Sequence, residues 1–264
     1  MPDAPLSPAA ALVRRHDPDR FLSTLFAPAK RRETLFLLYA FNHELARARE
    51  VASQPTLALI RLQWWREVVE GAERRHELGT PLAAALAAGR LDRSELLTMI
   101  AGREVEAEDS IATREAWRLY VHAYAGALAA AAAGAVGADP ASIERVRALG
   151  AAYGAVGQLR SIAPLARAQR CRLPEDVLAA HGLTVHAVIA KPDAPAVAAA
   201  RDDLAGDARS WLAAGRGAFP AGAIAAALPG VLARRDLRHL GQPPRPRGFG
   251  DRAAVVLAAM RRRV

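Results

Sequence analysis

The apolar residues of this chain recur at helical spacing, and runs that alternate Val, Ile or Thr with polar residues are absent. Such alternation is the mark of a half-buried strand, whereas an apolar stripe at helical spacing indicates an amphipathic helix. After Pro55, a buried stripe is predicted for Leu57, Ile60, Trp64 and Val68. The sequence therefore predicts an all-α fold.

Proline, glycine and capping residues divide the chain into these helices. Asp92 and Thr113 are candidate N-caps, and Asp139-Pro140 combines an N-cap with proline in the first turn. Helices are predicted at 18–26, from after "APAKRR" to 51, from 55 towards 71, and at 81–88, 92–109, 139–162, 175–180, 194–215, 221–234 and 252–263. Residues 1–16 are expected to be a flexible N-terminus, followed by a single domain at 17–264.

The net charge of +9 is carried almost entirely by arginine and favours an anionic partner. A phospholipid surface, a phosphorylated ligand, nucleic acid and an acidic protein all fit that charge. Nucleic acid is not expected, because the basic residues are not interleaved with aromatic ones in a recognisable module. "RRDLRH" (234–239) and "MRRRV" (260–264) are candidate membrane contacts, although arginines at helix ends are also commonly just solvated.

Two uncharged stretches, 123–138 and 217–233, are expected to be closely packed buried segments, and membrane contact is expected to be peripheral. The N-terminus has no signal-peptide pattern, and a single cysteine, Cys171, indicates a reducing compartment. Its neighbours Arg170 and Arg172 are expected to lower the thiol pKa.

Other sites are disfavoured by spacing. Gly150, Gly154 and Gly157 follow no predicted strand, so they indicate close helix packing and not a dinucleotide loop. No two histidines stand at i, i+4, and a zinc site is not expected.

Three segments in order resemble the squalene/phytoene synthase family. They are "LFAPAKRRETLFLLYAFNHELA" (25–46), "ALIRLQWWREVVEG" (58–71) and "GAVGQLRSIAPLARAQRCRLPEDVLAAHGL" (154–183). The resemblance implies a single-domain isoprenoid (terpenoid) synthase fold, a helical bundle around a central cavity. In active members two aspartate clusters face each other there and hold Mg²⁺ against the substrate diphosphate.

The aspartates of both clusters are missing at the positions that the resemblance identifies. Those positions carry Ala46, Arg47 and Glu50 in the first cluster, and Ser161 and Leu165 in the second. No Asp or Glu occurs between Glu144 and Glu175, an interval that contains six arginines. We therefore expect no metal, no cofactor and no catalytic residue at these degenerate positions.

Three other residues are candidates for ligand contact by the same resemblance. Tyr39 corresponds to a family tyrosine near the substrate, Arg160 to the arginine before the second cluster, and His43 replaces a family arginine. Tyr39 and Arg160 also have ordinary structural readings, as a buried aromatic residue and a charge at a helix end.

Within the family, the chain is most similar to the non-catalytic branch that contains the sixth assembly factor of respiratory complex I. The shared features are "AFNHELA" (40–46), "RLQWW" (61–65), "LR" (159–160), and the "LP" and "HG" pairs at 173–174 and 181–182. The resemblance implies a pseudoenzyme that binds complex I subunits or assembly intermediates and an anionic membrane surface. We expect a bacterial protein, cytoplasmic and peripheral to the inner membrane.

Two alternatives stay open. One is a prenyltransferase that acts on farnesyl or geranylgeranyl diphosphate, in which case Mg²⁺ would be its cofactor. The other is a cavity that carries a lipid or isoprenoid without turnover.

Overall fold

A computed structural model describes residues 6–52, 54–242 and 245–264. Within these ranges there are helices and two isolated β-bridges, and no strand. The prediction of an all-α chain is confirmed. In the same ranges, no helix combines the length and the apolar character needed to cross a bilayer.

The helices are numbered in chain order. The first eight are α1 (Pro8–His16), α2 (Pro18–Thr24), α3 (Ala29–Glu50), α4 (Pro55–Glu70), α5 (Gly79–Ala87), α6 (Arg93–Glu104), α7 (Arg114–Val121) and α8 (Ala127–Ala135). The others are α9 (Pro140–Arg160), α10 (Ile162–Arg167), α11 (Glu175–Ala180), α12 (Val185–Ala190), α13 (Pro195–Gly215), α14 (Ile224–Ala227), α15 (Pro229–Leu237) and α16 (Phe249–Arg261). A π-helical turn, His122–Gly126, joins α7 to α8.

Helix α9 forms the centre of the bundle and packs against α8, α13, α15 and the π turn. Helix α9 lies close to α8 and to the π turn because glycines of α9 face alanines of those two elements. A Cβ at Gly150 would lie 2.2 Å from the Cβ of Ala129, and one at Gly154 would lie 2.3 Å from the Cβ of Ala125. The expected packing role is confirmed for these two glycines. Gly157 differs, because a Cβ there would meet no atom within 4 Å.

The N-terminal prediction requires a correction. Residues 8–16, expected to be flexible, form α1, which packs on α3. The Ser7 hydroxyl caps this helix by accepting from the Ala10 N–H, and Ala9 and Val13 are buried in the core. Burial of these small apolar side chains orders the segment. Residues 1–5 lie outside the described ranges.

The predicted stripe on α4 is also wrong over its first half. Ile60 is 60% exposed and Leu57 44%, whereas Ala58, Leu62 and Trp65 are buried. The buried stripe lies about one residue further along the helix, and Trp65 meets Phe41 of α3 edge to face. Both stripes are apolar, so periodicity alone did not indicate which of them faces the core.

Candidate functional site

A cavity of about 300 Å³ lies between α3, α6, the π turn, α9 and the chain that follows α10. Two helix ends form its rim. Helix α9 stops at Arg160 with Ser161 as its C-cap, and α10 starts at Ile162, so that Pro164 falls within the first turn of the new helix. This break brings Ser161 and Leu165 to the cavity.

Four of the five degenerate metal positions face this cavity together. Ala46 and Glu50 line it from α3, while Ser161 and Leu165 line it from the break between α9 and α10. Arg47 is not among the lining residues, and its guanidinium lies 3.6 Å from the Glu44 carboxylate.

These residues do not fit Mg²⁺, which requires several oxygen ligands. Glu50 is the one carboxylate among the five positions, and the Ser161 hydroxyl donates to the Gly157 carbonyl oxygen at 2.8 Å. The other carboxylate at the cavity, Glu106, already accepts from Arg103 and from the Tyr120 hydroxyl, each at 2.7 Å. In the described ranges, no group of three His, Cys, Asp or Glu side chains could hold a metal ion.

Four arginines line the cavity, and two of them have carboxylate partners. Arg20 pairs with Asp17 at 2.6 Å and Arg103 with Glu106 at 2.7 Å. For Arg170 and Arg172, no carboxylate lies within ion-pair distance in the described part of the chain. The cavity wall is therefore cationic in balance, since two of its guanidinium groups are not neutralised.

Arg172 is held rigidly although it lacks an acidic partner. It is only 5% exposed, and its guanidinium donates to the backbone oxygens of Glu106 and Glu108, the latter at 2.9 Å. Burial and then the nearby charge of Arg172 lower the pKa of Arg170. An anion bound beside Arg170 would oppose this shift, because a nearby negative charge favours the charged guanidinium.

Several buried polar atoms at the cavity have no hydrogen-bond partner. They are the Nε atoms of Arg103, Arg170 and Arg172, and Oε1 of Gln158. A buried donor without an acceptor costs about 1–3 kcal/mol, and more when it is charged. Because these three arginines all line one cavity, an anionic group bound there could accept from their guanidinium groups.

All four tyrosines of the chain surround this space. Tyr120, Tyr124 and Tyr153 line the cavity, and Tyr39 lies behind them, 5.6 Å from the guanidinium carbon of Arg20 to its ring centre. Burial raises the pKa of each of them, in the case of Tyr39 to about 12. The hydroxyls stay protonated at neutral pH and so remain hydrogen-bond donors.

None of the three candidate ligand contacts lines the cavity. Tyr39 lies in the layer behind it, and the ring of His43 stacks on His16 of α1 with 4.3 Å between ring centres. Arg160 points elsewhere and pairs with Asp236 of α15 at 2.6 Å. Cys171 is buried nearby, and burial raises its thiol pKa; the expectation of a lowered pKa is wrong.

Sequence reasoning missed the polar residues that dominate the wall. Arg103, Glu106, Tyr120 and Tyr124 come from segments to which the resemblance assigned no role. A signal was present along α9, where Tyr153, Gly157 and the C-cap Ser161 recur every four residues on one helix face, with Gln158 next to Gly157.

Known proteins resemble this chain in both sequence and structure. The family model described as squalene/phytoene synthase matches residues 13–259. NADH dehydrogenase (ubiquinone) complex I, assembly factor 6 of Homo sapiens is 41% identical over 59 residues, which cover 22% of this chain and 18% of that protein. The Mus musculus protein of the same name is 28% identical over 180 residues, 66% of this chain and 54% of the relative.

Among solved structures, a dehydrosqualene synthase in complex with a ligand superposes with a TM-score of 0.78 at 13% identity. The match covers 96% of this chain and 94% of the other, and it confirms the isoprenoid synthase fold. The chain spans about half the length, or less, of the curated relatives that it matches. The match of the family model over residues 13–259 nevertheless covers most of the sequence, and the chain belongs to the squalene/phytoene synthase family.

Proposed function

We propose that this chain is a non-catalytic member of its family that assists assembly of respiratory complex I by binding at the membrane. Relatives named complex I assembly factor 6 support the assembly role, although the chain spans only part of their length. Prenyl transfer in the family depends on paired aspartates, and the donor set of the cavity argues against that chemistry here.

The observation that best supports a non-catalytic role is the set of residues on the two sides of the cavity. Where divalent cations would need carboxylates from both sides, one side offers Ala46 and Glu50 and the other offers Ser161 and Leu165. Arg170 and Arg172 also line the cavity, and their positive charges would repel a divalent cation.

The absence of catalysis is tested with purified protein, farnesyl or geranylgeranyl diphosphate, and Mg²⁺. No squalene, dehydrosqualene or phytoene is expected, while an active synthase in the same buffer makes product. Product formed by this chain above that of a heat-inactivated sample would contradict the proposal.

The assembly role is tested by deleting the gene in its own host. Complex I activity and the amount of assembled complex are expected to fall, whereas isoprenoid products stay at their normal level. The opposite result, normal complex I with a selective loss of an isoprenoid product, would assign the chain to the enzymatic alternative.

A second candidate function is supported by the unpartnered guanidinium nitrogens. We propose that the cavity carries a small anionic lipid or isoprenoid whose headgroup binds Arg170 and Arg172 directly, without turnover. Native mass spectrometry of gently purified protein is expected to show an added mass that Arg170→Gln loses. Arg167→Gln, an exposed neighbour outside the cavity, is the control and should keep it. A bare mass for the unaltered chain would count against a carried ligand.

A further inference from the structure

Helix α16 presents large apolar side chains to solvent. Phe249 is 88% exposed and Met260 76%, and between them Val256 and Leu257 are also exposed. The same helix buries Val255 and Ala259 against the core. It therefore has one apolar face packed on the bundle and a second that no described residue covers.

The second face is continuous along the helix. Phe249, Ala253, Val256 and Met260 stand at i, i+4, i+7 and i+11, which places them within one narrow stripe. Leu257 widens that stripe by one position. The stripe runs along nearly the whole of α16, from Phe249 to Met260, a length of about 17 Å at about 1.5 Å per residue.

Positive charge borders the stripe. Arg252 and Arg261 lie on its two sides, and Arg262 and Arg263 follow at its end, all of them exposed. Asp251 is the one acidic residue of the helix, and it is engaged: it accepts from Arg235 at 2.7 Å and from the Gly248 N–H at 3.1 Å. No unpaired carboxylate on α16 opposes an anionic partner.

An apolar groove of about 450 Å³ lies beside the first turn of α16. Phe21 and Leu22 of α2 form one wall of it together with Leu25, which follows that helix and is itself exposed. Arg252 lines the groove on the α16 side. Apolar surface therefore continues from α16 towards α2, and the two carboxylates that line the groove, Asp19 and Asp251, are each paired with an arginine.

We propose that the outer face of α16 lies on an anionic phospholipid surface, with Phe249, Val256 and Met260 among the acyl chains and the bordering arginines at the phosphates. An amphipathic helix with bulky apolar residues and flanking arginines has the features of an interfacial helix. Charge complementarity selects the partner, because exposed arginines on both sides of the stripe match the phosphates of a bilayer. The assignment of α16 to the lipid rests on the proposed function at the membrane, and α16 is the surface that would bind there.

Only one of the two basic sequences that were expected to touch a membrane lies on the proposed face. "MRRRV" at the end of α16 belongs to the proposed face. "RRDLRH" lies at the end of α15 and just beyond it: Arg235 pairs with Asp251, Asp236 pairs with Arg160 and Arg247, and Arg238 and His239 are exposed.

The test is flotation of the purified full chain with vesicles of phosphatidylcholine alone or mixed with phosphatidylglycerol. The chain is expected to float with the anionic vesicles at low salt and to stay at the bottom with the neutral ones. The double variant Phe249→Ser, Met260→Ser should bind about tenfold more weakly, because two large side chains no longer enter the apolar layer. Leu57→Ser, Ile60→Ser is the matched control on α4, where both apolar residues are also exposed.

Charge is tested in the same assay with Arg252→Gln, Arg261→Gln. Each lost arginine should weaken binding by about fivefold at low salt, and added salt should remove the difference. Arg75→Gln, an exposed arginine distant in sequence, should have less effect.

Failure of the unaltered chain to float would overturn the lipid surface, and so would an equal loss in the α4 control. If the unaltered chain proved dimeric by light scattering and the α16 variant monomeric, the face would be a contact between copies and not a lipid surface. None of these readouts involves complex I, so the lipid surface can fail while the assembly role stands.

Discussion

At the scale of single residues, the cavity buries uncharged tyrosines and the paired Arg20, Arg103 and Glu106 beside two arginines, Arg170 and Arg172, that have no acidic partner among the described residues. The four tyrosines stay protonated because burial disfavours tyrosinate, and the nearby Arg20 and Arg103 only partly offset this effect. Burial of the ring of Tyr39 raises its pKa to about 12, against an ordinary value of 10.0.

This raised pKa predicts how the protein responds to alkali. Between pH 10 and about 12, an unfolded chain loses the Tyr39 proton and the folded chain keeps it, so stability should fall as pH rises through that range. Tyrosinate absorbance and far-ultraviolet circular dichroism, measured together, should change in one cooperative step. Absorbance that rises near pH 10 with the helices intact would show that the tyrosines are accessible.

Glu106 provides a second prediction, at the acid end. Burial alone would raise the pKa of Glu106, but the charge of Arg103 and hydrogen bonds from Tyr120 and Arg103 lower it below its ordinary value. Its stabilisation is therefore present above the unfolded pKa of about 4.3 and is lost as pH falls through the lower folded pKa.

Glu106→Gln should destabilise the fold by about 3 kcal/mol at neutral pH, because Arg103 is left buried without its carboxylate. Part of the loss of stability that the unaltered chain shows below about pH 5 should vanish with it. Denaturant unfolding at several pH values measures both effects. Glu104→Gln is the control, since its pair with Arg66 is more exposed; equal losses in the two variants would contradict a special role for the buried pair.

At the scale of elements, the closeness of α9 to α8 and the π turn rests on glycine. Gly150→Ala would place a Cβ 2.2 Å from Ala129 and 2.7 Å from the Ala125 carbonyl oxygen. The helices would have to separate, and a loss of about 1–3 kcal/mol is expected.

Gly157→Ala is the matched control on the same helix. It meets no atom within 4 Å and removes a flexible residue from a helix interior, so it should stabilise by about 0.5–1 kcal/mol. Thermal unfolding of the two variants gives the comparison. Similar shifts in Tm would show that packing against α8 does not distinguish the two positions.

Sequence predicted elements well where the signal is local. The caps at Asp92, Thr113 and Asp139 all accept from backbone N–H groups two or three residues further on, as expected for their types. The prediction failed on α4, which carries two apolar stripes that the local sequence does not distinguish. Contacts with α3, α5 and α6 determine which stripe is buried. Helix α1 was missed because its short alanine-rich stretch is ordered mainly by packing on α3.

At the site, too, some residues could be predicted from the sequence and others could not. Ala46, Glu50, Ser161 and Leu165 were placed together by resemblance, since homologous positions keep their location in a shared fold. Arg103 and Glu106 are only three residues apart, but Arg172, which donates to the Glu106 backbone oxygen, comes 66 residues later, and no spacing in the sequence relates it to them.

At the scale of the whole molecule, Arg247 ties the end of the chain to its beginning. Its guanidinium lies 2.7 Å from Asp19 of α2 and 2.6 Å from Asp236 of α15. The Tyr153 hydroxyl of α9 also donates to Asp19, at 2.8 Å, and Arg160 pairs with Asp236. One partly buried network therefore joins four elements, and the loop that carries α16 is fixed through it.

Arg247→Met should leave Asp19 and Asp236 facing each other across a partly buried gap, with a loss of about 2 kcal/mol. Because the side chain anchors the loop before α16, the loss should be uneven: amide hydrogen exchange should quicken most in α16 and α2 and least in α9. Arg245→Met, an exposed arginine two residues away, is the control and should change neither stability nor exchange. Uniform acceleration across the bundle would mean that Arg247 supports the fold generally and does not hold α16 in place. The variant with a loosened α16 should also bind anionic vesicles more weakly than the unaltered chain, because an interfacial helix binds through a fixed apolar face.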